Sequence, residues 1–159
     1  MKLLFLISIL FVIIQNKHPH FRDYPVTSIF KGKSSKVIFG NNPNAKHFRT
    51  VIRDGVAKGV NFAGQYILVY WGCGTSCQEF VIVNSKNGLI YDPPGRKGMA
   101  SYGFEYQVDS NLLIVDPIDS AMVKDFKGKI PDWLMTRYYL WNGIDLIEID
   151  SSKTALTGY

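Results

Sequence analysis

Cys73 and Cys77, the two cysteines of the 159-residue chain, stand three residues apart in the stretch WGCGTSC. A cysteine pair at short spacing joins as a disulfide, cycles as a redox couple, or gives two ligands to a metal. Redox pairs of the thioredoxin type have two intervening residues at a helix N-terminus, which lowers the pKa of the first thiol. Here the three residues Gly74, Thr75 and Ser76 intervene, between flanks that read as strands. A structural zinc wants four ligands, and a copper carrier of the C-x3-C type usually adds a distant histidine. His47 is the one histidine away from the N-terminal segment that holds His18 and His20. A disulfide is therefore the preferred reading, and a thiol-redox or metal-carrier role for Cys73 and Cys77 is the alternative.

Other catalytic groupings are not distinguished by spacing. Ser76, His47 and any of Asp92, Asp109 or Asp116 are the residue types of a hydrolytic triad, but nothing in their context joins them, and no catalytic residue is singled out. Asp116 and Asp119 read as residues flanking a loop. Neither a cofactor nor a metal is implied. The 22 aromatic residues are mostly core by alternation, although Tyr66, Tyr70, Trp71, Tyr138, Tyr139 and Trp141 are the kinds of side chain that line a groove for a sugar or peptide. The cysteine-bracketed tip carries almost no side-chain bulk. Gly72, Gly74, Thr75 and Ser76, with neighbouring Tyr70 and Trp71, are the candidate binding residues. A clipped loop loses less conformational entropy when it docks.

The elements that must position this tip are legible from pattern. QYILVYW is apolar on both faces and rich in β-formers, which predicts a strand covered on both sides, and EFVIV predicts its neighbour. The residues between them read as a hairpin with GTS at its tip and the cysteines on opposite arms. Opposed Cα atoms on antiparallel strands lie about 4.5–5.5 Å apart, within reach of a disulfide. Upstream, NNPNAKHFRTVIRDGVAKG predicts one helix near residues 43–58: Asn42 caps it, Pro43 opens it, and Gly59 ends it. Ala45, Phe48, Ile52 and Val56 recur at helical spacing and form its apolar stripe.

Downstream, Asn87-Gly88 turns the chain into LIYDPP, and the glycine-rich GRKGMASYGFEY reads as a loop entering a short strand. LLIVD predicts a further core strand. Residues 116–132 read as a loop with about one helical turn. TRYYLW, Asn142-Gly143 and IDLIEID predict a hairpin with a two-residue turn. These patterns predict an α+β fold, a single domain over residues 21–159 with a mainly antiparallel sheet and one helix packed on it.

The first residues are of a different kind. Lys2 precedes an apolar run over 3–14 that has the length of a secretory core segment and is too short to span a bilayer. Residues 1–20 are accordingly expected to be a signal peptide or an N-terminal anchor, and the protein to be periplasmic or secreted. Such export would favour the disulfide, because oxidising compartments preserve it. The formal charge of +5 is mild, and its lysines and arginines are scattered. That pattern excludes a nucleic-acid surface and leaves a cell-envelope protein or glycan as the expected partner, with membrane contact only through an uncleaved N-terminal segment.

The block NFAGQYILVYWGCGTSCQEFVIVNSKNGLIYDPP resembles the central block of a family of small uncharacterised secreted bacterial proteins, with the pattern N-F-A-G-[HQ]-Y followed by W-G-C-G-[ST]-x-C. Asn61, Phe62, Ala63, Gly64, Tyr66, Trp71, Gly72, Cys73, Gly74 and Cys77 carry the resemblance. The family implies secretion and no particular activity. YILVYWGCGTSCQEFVIV is also similar in layout to the inhibitor of vertebrate lysozyme, a periplasmic α+β protein that presents a cysteine-bracketed finger. That inhibitor's loop is longer and carries a histidine. The likeness therefore implies architecture, a smaller finger of backbone groups and hydroxyls, rather than the same target. The function expected from the clipped tip and the export signal is an exported, disulfide-clipped binding or inhibitor-like module.

Overall fold

The computed structural model describes residues 18–152; the apolar run at 3–14 lies outside them. The architecture follows from period-two alternation in β1 (Tyr66–Gly74) and β2 (Cys77–Asn84). Ile67, Val69 and Trp71 of β1 and Val81 and Val83 of β2 pack on one face, against Ala45, Ile52 and Val56. Leu68, Phe80 and Ile82 pack on the other, against Leu113, Val115, Tyr139, Trp141 and Leu146. Both faces of this hairpin are covered, which is why its strands carry almost unbroken apolar runs.

Two antiparallel sheets result. In the first, β1 pairs with β2, and the far edge of β2 takes the short β3 (Ile90–Tyr91) and β4 (Met99–Ala100). In the second, β5 (Phe104–Tyr106), β6 (Leu112–Val115), β7 (Thr136–Trp141) and β8 (Leu146–Ser152) run in sequence order. The sheets share the Phe80–Tyr139 core, helices cover the outer face of the first, and Phe21 and Tyr24 cover Leu112, Ile114 and Tyr138 on the outer face of the second. The expected α+β class and antiparallel pairing are as observed.

The helical run is divided. Asn42 caps α1 (Pro43–His47) through its side chain, 2.9 Å from the Ala45 amide, and α2 (Arg49–Ala57) follows a break at Phe48 (φ −94°, ψ 22°). The break lets the Phe48 ring stack on Trp71 at 4.4 Å. On α2, a Cβ at Gly55 would lie 2.6 Å from a Val69 methyl, so the absence of a side chain there sets how closely the helix approaches β1.

The N-F-A-G-x-Y residues build the entrance to β1. Asn61 holds Leu68 from both sides, accepting from its amide at 2.8 Å and donating to its carbonyl at 3.0 Å. Phe62 is buried in the intersheet core. Ala63 and Gly64 turn the chain with φ of 45° and 76°, and a Cβ at Gly64 would collide with the Ser28 carbonyl oxygen.

Two turns differ from their sequence reading. The first strand continues through Gly74, so the hairpin tip is Thr75-Ser76 rather than GTS. The β7–β8 connection is four residues, 142–145, because the Asn142 side chain accepts from the amides of both Ile144 and Asp145 at 2.9 Å and holds the loop open. Residues 116–132 contain α3 (Ser120–Asp125), capped by Asp119, whose Oδ1 accepts from the Met122 amide at 2.8 Å.

Candidate functional site

Gly74 pairs with Cys77 across the tip, and a bulge between Gly72 and Gly74 leaves Cys73 as the extra residue on β1. The two cysteines are joined, with Cα atoms 5.1 Å apart. Direct opposition of the cysteines was the expectation; the bulge replaces it and brings Cys73 within bonding distance of the first residue of β2. Gly74 (φ 140°) and Ser76 (φ 49°) supply the positive φ values of the turn. Gly72, Cys73, Gly74, Thr75 and Ser76 are all exposed.

Strand alternation separates the other two expected binding residues. Tyr70 is exposed on the face toward the second sheet, its ring 5.9 Å from that of Phe104. Trp71 points the opposite way and is 6% exposed, stacked on Phe48, with its Nε1 donating to Glu79 at 3.3 Å. Trp71 thus holds the hairpin against the helices, and of the expected binding residues Gly72 and Gly74 end β1 while Thr75 and Ser76 form the tip. Tyr66, Tyr139 and Trp141 pack in the intersheet core, and Tyr138 is buried beneath Phe21.

Ser76 and Cys77 also form one wall of a cleft of about 450 Å³. Its other lining residues include Arg96, Met99, Ala100 and Ser101 of the glycine-rich loop, and Asp132, Trp133 and Met135 ahead of β7. At the cleft lie Asp116 and Arg137, a buried ion pair with Arg137 Nη2 2.8 Å from Asp116 Oδ2. The pair is fully wired. Asp116 Oδ1 accepts from the amides of Ser101 (2.6 Å) and Tyr102 (2.8 Å), while Arg137 donates to the carbonyls of Arg96 and Met99. Asp116 does this from a left-handed backbone conformation, φ 54°, with its own amide bonded to the Gly103 carbonyl at 3.0 Å and its carbonyl accepting from Thr136 Oγ1 at 2.9 Å. A non-glycine residue held at positive φ costs on the order of 1–3 kcal/mol, and such outliers concentrate at functional sites.

Beside this pair stands Trp133, 58% exposed, with one ring face stacked on Tyr102 at 6.2 Å and 17°. Tyr102 is itself exposed and meets Phe126 edge-on at 6.3 Å. The cleft therefore joins an exposed aromatic platform to a fixed polar floor and to the clipped tip. Neither Trp133 nor the Asp116–Arg137 pair was singled out from sequence, although the loop at residues 95–103 stood out through its glycines. The β6–β7 pairing brings Asp116 and Arg137 together across 21 residues of chain, and Trp133 meets Tyr102 between two loops, contacts that no local motif records.

The hydrolytic triad types do not converge. Ser76 and Asp116 share the cleft, His47 lies edge-on to Phe48 at 4.8 Å, Asp92 accepts from Asn42 Nδ2 at 2.8 Å, and the Asp109 carbonyl accepts from the Val26 amide at 2.9 Å. The cysteines sit at the ends of two paired strands rather than at a helix N-terminus, the setting that activates a thiol. Among the described residues, no group of three or more His, Cys, Asp or Glu is placed to hold a metal ion.

Burial pushes the Tyr138 hydroxyl far up from the ordinary phenol value, with the Asp150 and Glu105 carboxylates adding to the effect. Tyr139 is also raised, mainly by burial, with Arg137 acting against it. Asp145 is lowered by its hydrogen bond from Lys97 Nζ at 3.0 Å. The comparisons with known protein families, curated proteins and solved structures return no match for this chain.

Proposed function

We propose that the protein is an exported binding module, inhibitor-like in layout, which engages a cell-envelope partner through the cleft between the clipped tip and Trp133. The carrying observation is the position of Ser76 and Cys77: the disulfide-clipped turn is one wall of a cleft whose floor is a fully bonded, backbone-strained ion pair. The disulfide and the ion-pair cluster hold the turn and the glycine-rich loop before any partner arrives. Preorganisation of this kind reduces the ordering cost of binding and is a reason to clip a turn that contributes little to the core. The exposed Trp133 beside it is the residue type that most often anchors an interface.

Export supports this reading from two sides, the apolar run behind Lys2 and a disulfide that an oxidising compartment preserves. Expression with the complete N-terminus, followed by fractionation, tests it: the chain should leave the cytoplasm, and quantitative retention of soluble protein there would contradict it. Binding is tested by retention of envelope components on the immobilised protein. Thr75→Arg, which fills the tip with a long charged side chain, should abolish that retention while leaving the thermal melt in place.

A further inference from the structure

The chemistry of the same cleft narrows the partner. Two arginines, Arg96 and Arg137, and two aspartates, Asp116 and Asp132, line it, so its formal charge balances. A site for a phosphate or a strongly anionic polymer would carry an excess of cations. This site has none. What it presents instead are donors and acceptors side by side: the Ser76 and Ser101 hydroxyls, a guanidinium and a carboxylate. That mixture matches ligand hydroxyls, each of which both donates and accepts. Over them stands the exposed Trp133 ring, stiffened from behind by Tyr102. Aromatic faces take flat apolar surface while neighbouring polar groups fix orientation, the division of labour common to small-molecule sites, and about 450 Å³ lies within their usual range of roughly 300–1,000 Å³.

We propose that the cleft binds an uncharged oligosaccharide, with one pyranose ring laid on the outer face of Trp133 and its hydroxyls bonded by Asp132, Arg96 and the serine hydroxyls of the tip and loop. The Asp116–Arg137 pair holds the loop in place and does not contact the sugar through a free charge. This assignment rests on the binding reading above and specifies its ligand.

The molecule carries its own reporter. Of its three tryptophans, Trp71 and Trp141 are 6% and 4% exposed, and Trp133 is 58% exposed. Quenching of indole emission by acrylamide therefore reports mainly on the cleft. The oxidised full-length secreted protein would be titrated with triacetylchitotriose and with maltotriose, both uncharged, and with heparin as the anionic comparison. At least one trisaccharide should shift the emission to shorter wavelength with saturation and shield it from acrylamide, and heparin should not.

Trp133→Phe should keep the binding within a few-fold, and Trp133→Ala should weaken it by about tenfold or more with an unchanged melt; binding of the Ala variant would be read by nuclear magnetic resonance shifts of the sugar, since its reporter is gone. If neither trisaccharide binds while envelope protein is still retained and is lost in Thr75→Arg, the sugar assignment is overturned and the binding module stands. If neither sugar nor envelope component binds, both fall. Binding that survives Trp133→Ala unchanged also overturns the assignment.

Discussion

Arg137, the second residue of β7, places its guanidinium 2.8 Å from the Asp116 carboxylate just beyond the end of β6, and in doing so ties the loop at residues 95–103 to the second sheet. Each charge is buried, and the other is its partner. Arg137→Ala should destabilise the fold by about 3–5 kcal/mol, because it strands a buried carboxylate. The double variant Asp116→Asn with Arg137→Met should recover part of that loss, since asparagine tolerates the same backbone conformation and no buried charge remains. Chemical denaturation of the wild type, Asp116→Asn, Arg137→Met and the double variant measures the coupling; strictly additive losses would show that the pair is not a unit.

The Cys73–Cys77 disulfide closes a loop of very few residues, so its contribution is small, about 2 kcal/mol by chain entropy. Cys77→Ala should lower the melting temperature by a few degrees and leave the circular dichroism of the folded state unchanged. A structural bond of this kind should also have a reduction potential well below those of thiol oxidoreductases. Ready cycling at their potentials would favour a redox role instead.

Close approach of α2 to β1 predicts a loss on the other side of the molecule. Gly55→Ala puts a methyl 2.6 Å from Val69 and should cost about 1–3 kcal/mol despite the better helix propensity of alanine. A neutral or stabilising result in a thermal melt would mean that helix and strand separate freely.

Raised tyrosines make the fold sensitive to alkali. A phenol whose folded pKa lies above its unfolded value of about 10 holds its proton more firmly in the native state. Its contribution is complete below about pH 10 and is lost as the pH climbs from there through the folded pKa. Tyr106, Tyr138 and Tyr139 are all raised, chiefly by burial. Absorbance titration should therefore ionise only some of the nine tyrosines reversibly, with the rest appearing in the alkaline unfolding transition. Reversible ionisation of all nine near pH 10 in a protein that stays folded would contradict the buried placement of these rings.

What the sequence revealed is what short-range physics controls. Asn42 and Pro43 start a helix through bonds within three residues, alternation in QYILVYW and EFVIV follows from covered faces, and two cysteines beside glycines make a clipped turn. The helix breaks at Phe48, whose ring stacks on Trp71, a residue 23 positions away and visible as a partner only once β1 lies beneath the helices. The cleft was hidden for the same reason. Trp133 sits in a segment without periodicity, and Tyr102, Asp116 and Ser76 come from three different connections between elements. Even the N-F-A-G-x-Y residues proved to shape the entrance of β1 rather than a surface for contact.

The central claim is that binding takes place where the clipped tip meets the Trp133 cleft, and two arginine substitutions, one at the tip and one at a residue that does not line the cleft, test it. Thr75→Arg blocks the tip, whereas Ile144→Arg alters an exposed position, 77% accessible, in the β7–β8 loop away from the cleft lining. Retention of envelope components by the two immobilised variants and the wild type should be measured side by side, with melts run on the same samples. Loss in Thr75→Arg alone, with all three melting together, is the predicted result. Equal retention by Thr75→Arg and the wild type, or loss in both variants, would contradict it.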